Sequence, residues 1–384
     1  MIARALAAAA LTCAAPALAG IASFTNIPVI PGNDGSAALG VSANGQYVVG
    51  WVHVPGVGSQ PFRWDRTTDP DVQPLGSSSG HILGRATDIS DDGQTVVGNW
   101  TIQSVGYEDA SRAFRWRQST GYRFMTPAAS YPYSQANAAS ANGNTIAGAS
   151  ISSDYATRPG GRWAGGSTAF SASNSGALFD VSADGNTAAG ITNTVSNTHA
   201  VRWTTSGLTD LGTLPGKQTS IALGITRDGS KIVGVSGEWG APVGSARAFM
   251  WTEAGGMQDL GILPGASRTT LTRINDAGTF GIGYANFDTA TQSGPMVPVV
   301  WRQGAGFMRA DQFIAGLGVS PGSMSIYELT GISGDGTVIT GYGHTPIPFG
   351  ARADGFVVTI PAPASLPLML LSGVAYRRQR MSAR

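Results

Sequence analysis

Apolar residues in this chain come in short bursts, and each burst is closed by a turn rich in Gly, Asn, Asp and Ser. One ten-residue version recurs seven times: VSANGQYVVG at 41–50, ISDDGQTVVG at 89–98, ASANGNTIAG at 139–148, VSADGNTAAG at 181–190, ITRDGSKIVG at 225–234, INDAGTFGIG at 274–283 and ISGDGTVITG at 332–341. Each copy is an apolar piece, a polar turn around a Gly and a second apolar piece. Helical spacing, with apolar residues three and four apart, is not what they show. The central glycines, Gly45, Gly93, Gly143, Gly185, Gly229, Gly278 and Gly336, stand 42 to 58 residues apart, the period of propeller blades and solenoid units.

Two further pieces complete each unit. The third ends in an aromatic residue: Trp64, Trp116, Trp163, Trp203, Trp251, Trp301 and, in the seventh unit, Phe356. The fourth is clearest as LTDLGTLPG at 208–216 and MQDLGILPG at 257–265. Asp-Gly and Asn-Gly steps between the first two pieces are expected to supply the positive φ angles of a tight hairpin. An aromatic recurring once per unit is expected as a wedge between neighbouring sheets. Four strands per unit and seven units predict an all-β fold, a seven-bladed β-propeller. The seventh unit stops after its third strand at Ile360, and FTNIPVIPG at 24–32 matches the missing fourth. The N-terminal strand is therefore expected to complete the last blade and close the ring, with the propeller spanning 20–360.

Composition agrees with many turns and few surface charges. Gly makes up 54 of 384 residues and charged residues 12 %, against about 7 % and about 25 % in ordinary proteins. The net charge of +1 hides an uneven distribution, because Arg4, Arg377, Arg378, Arg380 and Arg384 lie at the ends. The body keeps 19 Lys and Arg against 23 Asp and Glu. A mildly acidic body argues against nucleic acid as a partner.

The ends carry an address. Residues 1–19 combine Arg4, an apolar run and Ala17-Leu18-Ala19 before Gly20, the layout of a secretory signal peptide with signal peptidase as its processing partner. Removing it removes Cys13, the one cysteine, and with it any disulfide or thiol chemistry. Residues 361–384 begin Pro361-Ala362-Pro363, continue as an apolar run and end in an arginine cluster that includes Arg377 and Arg378. The run is short for a bilayer core of about 30 Å, so the segment predicts a marginal membrane anchor with its basic side inward. It resembles a PEP-CTERM sorting signal, which implies an exosortase-type enzyme as a partner; Ala362 stands where that family has Glu. The repeats themselves, through AFRW, HAVRW, DLGTLPG and INDAG, resemble the HAF family of bacterial extracellular repeats over about residues 24–360. That resemblance implies a secreted or surface propeller and brings no catalytic residues.

Chemistry is sparse. His53, His81, His199 and His344 lack the spacing of a zinc site, and no phosphate loop, nucleophile elbow or zincin motif is present. No metal and no cofactor is expected; Asp92, Asp184, Asp228 and Asp335 are read as turn residues rather than calcium ligands. One column stands out. Immediately before the apolar residue that opens each copy are Gly40, Asp88, Ala138, Asp180, Gly224, Arg273 and Gly331. Small residues suit inner strands crowded about an axis, so Asp88, Asp180 and Arg273 form a candidate site at the channel mouth. The expectation is an exported, monomeric, non-catalytic module of the cell surface or extracellular matrix, with a polysaccharide or protein ligand. The alternative is a polysaccharide hydrolase or lyase that uses the mouth charges.

Overall fold

The computed structural model describes residues 21–28, 34–78, 81–102, 110–165, 170–172, 176–192, 198–237, 246–287, 296–348 and 350–361. The leader, with Ala17 and Ala19, and the tail residues Ala362, Pro363, Arg377 and Arg378 lie outside them. Among the described residues no helix is long and apolar enough to cross a membrane.

Seven four-stranded antiparallel sheets make a seven-bladed propeller. The strands of blades one to six follow one another within residues 36–74, 81–124, 133–172, 178–210, 219–261 and 268–309. Blade seven takes Ser325–Ile332, Val338–Ile347 and Gly350–Thr359 from the C-terminal side and Ser23–Asn26 from the N-terminus. Ser23 pairs with Thr359 and Asn26 with Phe356, and the Phe24 ring stacks on Phe356 with centroids 4.8 Å apart. The ring is closed as expected, by a shorter strand than the 24–32 match suggested. The N–H of Ile27 still donates to Gly355 O at 2.8 Å, and Pro28, which follows directly, brings no N–H to continue the ladder. A short helix, Ala310–Gly316, fills the long interval between the sixth and seventh repeats.

The repeat glycine adopts φ between 63° and 76° in all seven copies. The Asp or Asn before it does not: among the described residues, non-Gly positive φ occurs at Ser130 and Tyr155. The positive φ expected of the Asp-Gly and Asn-Gly steps is therefore corrected: the Gly alone adopts it, and the residue before it works through its side chain. Ser182 Oγ donates to Asp184 Oδ1 at 2.5 Å, and the N–H of Asn186 donates to the same oxygen at 2.9 Å. Ser182 Oγ in turn accepts the N–H of Thr187 at 3.0 Å. In the sixth copy Asn275 replaces the serine and its Oδ1 accepts the N–H groups of Thr279 and Phe280 directly, both at 2.9 Å.

The last Gly of each copy has a different cause. A Cβ on Gly50, Gly98, Gly148, Gly190, Gly234, Gly283 or Gly341 would lie 1.8 to 2.3 Å from a carbonyl oxygen of the adjacent inner strand. Among the described residues apolar clusters fill all seven seams between blades and form the core, with a further one, around Leu263, Ala285 and Val299, beside blade six. Trp64 sits between blades seven and one, Trp163 between two and three, Trp251 between four and five, Trp301 between five and six, and Phe356 between six and seven. All five are buried. Phe356 does not take the tryptophan's place, because it pairs with Gly341 as Phe62 does with Gly50, and Val358, opposite Ile339, stands where the other units have Trp. Trp116 and Trp203 pack in the remaining seams but are half-buried. Arg162 of blade three lies 4.3 Å over the Trp203 ring, which covers its face with a cation across the seam.

Candidate functional site

Every inner strand carries a β-bulge at the same place. Register slips by one residue at Leu39, Thr87, Asn137, Phe179, Leu223, Thr272 and Thr330. A bulge places two residues opposite one and re-aims the side chain at the slip. All seven bulge residues keep intermediate exposure beside buried neighbours, and all seven line one cavity of about 280 Å³ on the propeller axis. The sequence reading missed this column. Its mixed chemistry hides it, since a pattern search sees neither apolar alternation nor a shared residue type.

The residue after each bulge is the column singled out in the sequence. Asp88, Asp180 and Arg273 are brought together at a second, narrower cavity of about 90 Å³. Leu39, Thr87, Arg273 and Thr330 line both cavities, which makes them successive stretches of one axial channel, with Arg273 at the junction. The small members of the column are small because the next blade is close. A Cβ placed on Gly224 would lie 2.7 Å from the carbonyl oxygen of Thr272.

The two aspartates span the seam that the small residues merely fit. Asp88 Oδ1 accepts the N–H of Ile89 and its Oδ2 that of Ala139 in blade three, both at 2.8 Å. Asp180 accepts from Val181 at 2.9 Å and from Ile225 in blade five at 3.0 Å. Arg273 donates through Nη1 to the carbonyls of Leu223 in blade five and of Thr272, at 3.0 Å each. Burial pushes the Asp88 carboxyl up to about 7, with Asp180 adding to the shift and the backbone donors and Arg273 opposing it. Burial also raises Asp180, against the pull of Arg273 and its two N–H donors.

Three more charges lie toward the outer mouth, from a column the sequence reading passed over: Ala43, Asp91, Ala141, Ala183, Arg227, Asp276 and Gly334. It has the same signature of small residues broken by three charges, and that signal could have found it. Arg227 pairs with the Asp91 carboxylate and approaches Asp276 Oδ2 at 3.9 Å. Around the same turns runs a belt of backbone hydrogen bonds from blade to blade. Asp91 N–H donates to Ala141 O at 2.9 Å, Ala141 to Ala183 at 2.9 Å and Ala183 to Arg227 at 2.8 Å. Asp276 donates to Gly334 and Gly334 to Ala43, both at 2.8 Å. Chemically the narrow mouth is a set of acids and guanidiniums that brace seams, four carboxylates against two guanidiniums.

Among the described residues no group of three or more His, Cys, Asp or Glu could hold a metal ion. The repeat aspartates are engaged within their turns; the hydrogen bond from Ser182 and the N–H of Asn186 hold the Asp184 carboxyl below the usual range.

No protein-family model matches the chain, and no curated protein matches it in sequence. Solved structures do. The propeller domain of the Trilobed protease from Pyrococcus furiosus, described as having an open velcro topology, is similar with a TM-score of 0.56 and 8 % identity, over 88 % of this chain and 99 % of that one. A prolyl endopeptidase is similar with a TM-score of 0.55 and 11 % identity over 85 % of this chain, which spans 50 % of that chain. TolB from Acinetobacter baumannii follows at 0.45 and 12 % identity, covering 83 % of this chain and 82 % of that one. At such identities the likeness shows a propeller fold and nothing of substrate or partner.

Proposed function

We propose that this protein is an exported, non-catalytic propeller that serves as a structural or binding module of the cell envelope or extracellular matrix. The observation that carries this reading is the use made of the channel-mouth acids. Both oxygens of Asp88 and both of Asp180 accept backbone N–H groups, one of each pair across a blade seam. A general acid or nucleophile must reach a substrate atom within hydrogen-bond distance, whereas these carboxylates are held by the ring itself. Export rests on the leader and the Arg-ended tail, which supply signal peptidase and an exosortase-type enzyme as processing partners and the membrane as a transient or stable anchor.

Expression of the full chain in a Gram-negative bacterium, followed by fractionation and intact-mass measurement of the product, tests the address. Cleavage after Ala19 and recovery outside the cytoplasm are expected; an uncleaved cytoplasmic product overturns the export reading. Incubation with extracellular polysaccharides tests the chemistry, since a hydrolase would release reducing ends and a lyase unsaturated ends. No turnover is expected. Release by the wild type that is lost in Asp88→Asn would instead establish the enzyme.

A further inference from the structure

The wide end of the channel is unlike the narrow one, and its wall has a definite hydrogen-bonding polarity. The hydroxyl of Thr87 donates to Ala136 O at 2.9 Å, that of Thr330 to Ala38 O at 2.8 Å and that of Thr272 to Ile282 O at 3.1 Å. Asn137 spends an amide N–H on Leu178 O at 2.7 Å. Each threonine has thus committed its one hydroxyl proton to the backbone, which leaves its oxygen an acceptor, and Asn137 has committed one of its two amide N–H groups. Glu328 adds a carboxylate, one oxygen of which takes the Tyr342 hydroxyl at 3.0 Å. Acceptors outnumber donors on this wall, so it favours a ligand that brings donors.

Two kinds of donor are available, ammonium groups and hydroxyls. The Arg273 guanidinium on the same cavity offsets the pull of the Glu328 carboxylate on an ammonium, whereas a hydroxyl can donate to the carboxylate and accept from the guanidinium. On the side of blades four and five the lining turns apolar, with Phe179 and Leu223 both part-exposed to the lumen. At about 280 Å³ the space is at the small end of ligand pockets. We propose that this cavity is a binding site for a single neutral sugar ring, its C–H face on Phe179 and Leu223 and its hydroxyls donating to Thr87, Asn137, Thr272 and Glu328. The proposal rests on the binding-module reading and gives it a ligand class and a place.

The test uses purified protein and methyl glycosides of glucose, galactose, mannose and N-acetylglucosamine, read by saturation-transfer NMR and calorimetry. At least one glycoside is expected to bind, and Phe179→Ala to weaken it by about tenfold. Leu223→Trp, which fills the cavity while keeping an apolar wall, is expected to abolish binding. Val57→Ser, at an exposed position remote from the channel, is expected to leave it unchanged. Melting curves of each variant separate loss of the site from loss of the fold. Absence of binding by all four glycosides overturns the proposal, as does binding undiminished in both cavity variants. Preferential uptake of putrescine, offered as an ammonium probe, also overturns it. Failure here is distinguishable from failure of export, because the first is read on purified protein and the second by cell fraction and leader cleavage.

Discussion

At the residue scale, the inner-facing glycine that ends a repeat and a glycine in an open turn between strands have separate causes and predict different penalties. Gly234→Ala would place a methyl 1.8 Å from Ile221 O, with the Phe249 ring 3.0 Å away. Backbone in a paired inner strand cannot yield as a side-chain tip can, so destabilisation beyond the roughly 1–3 kcal/mol of ordinary overpacking is expected. Gly56→Ala has nothing within 4 Å and only its φ of 74° against it, a cost of about 1–2 kcal/mol. Chemical denaturation of the two variants checks the order. Asp88 makes a prediction in pH. Its folded carboxyl stands at about 7 against an ordinary 3.8, so the folded state holds a proton that the unfolded chain has released. Its contribution is fully present below about pH 4 and is lost as pH rises through 7. Asp88→Asn removes this titration while leaving one oxygen to accept an N–H. Urea midpoints at pH 4.5, 6 and 7.5 should therefore fall less steeply with rising pH in the variant than in the wild type; parallel slopes would refute the assignment.

At the scale of elements, the strand Ser23–Asn26 is the part whose removal is most informative. It covers the outer edge of Gly350–Thr359 and brings Phe24 onto Phe356. Without residues 21–28 that edge is bare, and unpaired edges recruit other chains. The truncated protein is expected to melt earlier and to form concentration-dependent oligomers by size-exclusion chromatography, with a synthetic 21–28 peptide restoring the monomer. This closure was legible in the chain because Phe24 and Pro-Gly repeat a fourth-strand beat, and blade number was legible because Gly and Trp recur at fixed stations. The bulges were not legible. A one-residue slip leaves apolar patterning on both sides intact, so nothing in the alternation marks Phe179 or Leu223 as lumen residues. The Asp88, Asp180 and Arg273 column was visible as an exception among small residues, but its role was not, since only register shows that each carboxylate meets an N–H of the next blade.

At the scale of the molecule, closure decides whether seven similar units behave as one. An open solenoid is roughly a sum of repeat and neighbour terms and can fray from its ends. Here the seam between blades seven and one holds Ile27, Val48, Trp64, Val338 and Val357, and Gly334 donates across it to Ala43 O. The terminal blades are thereby joined to each other as interior blades are, and no free end remains from which to unravel. Amide exchange of the intact protein should accordingly show Val338–Ile347 protected as strongly as the matching strand Lys231–Gly237 of blade five. Loss of residues 21–28 strips only the outermost strand, yet it releases Phe24 from the Phe356 ring and the Ile27 side chain from the seam. Exchange in blade seven should then run faster than in blade five by at least tenfold, corresponding to about 1.4 kcal/mol of local opening. Equal acceleration in both blades would mean that the ring opens as a unit and that cooperativity resides in the six continuous seams rather than in the closure.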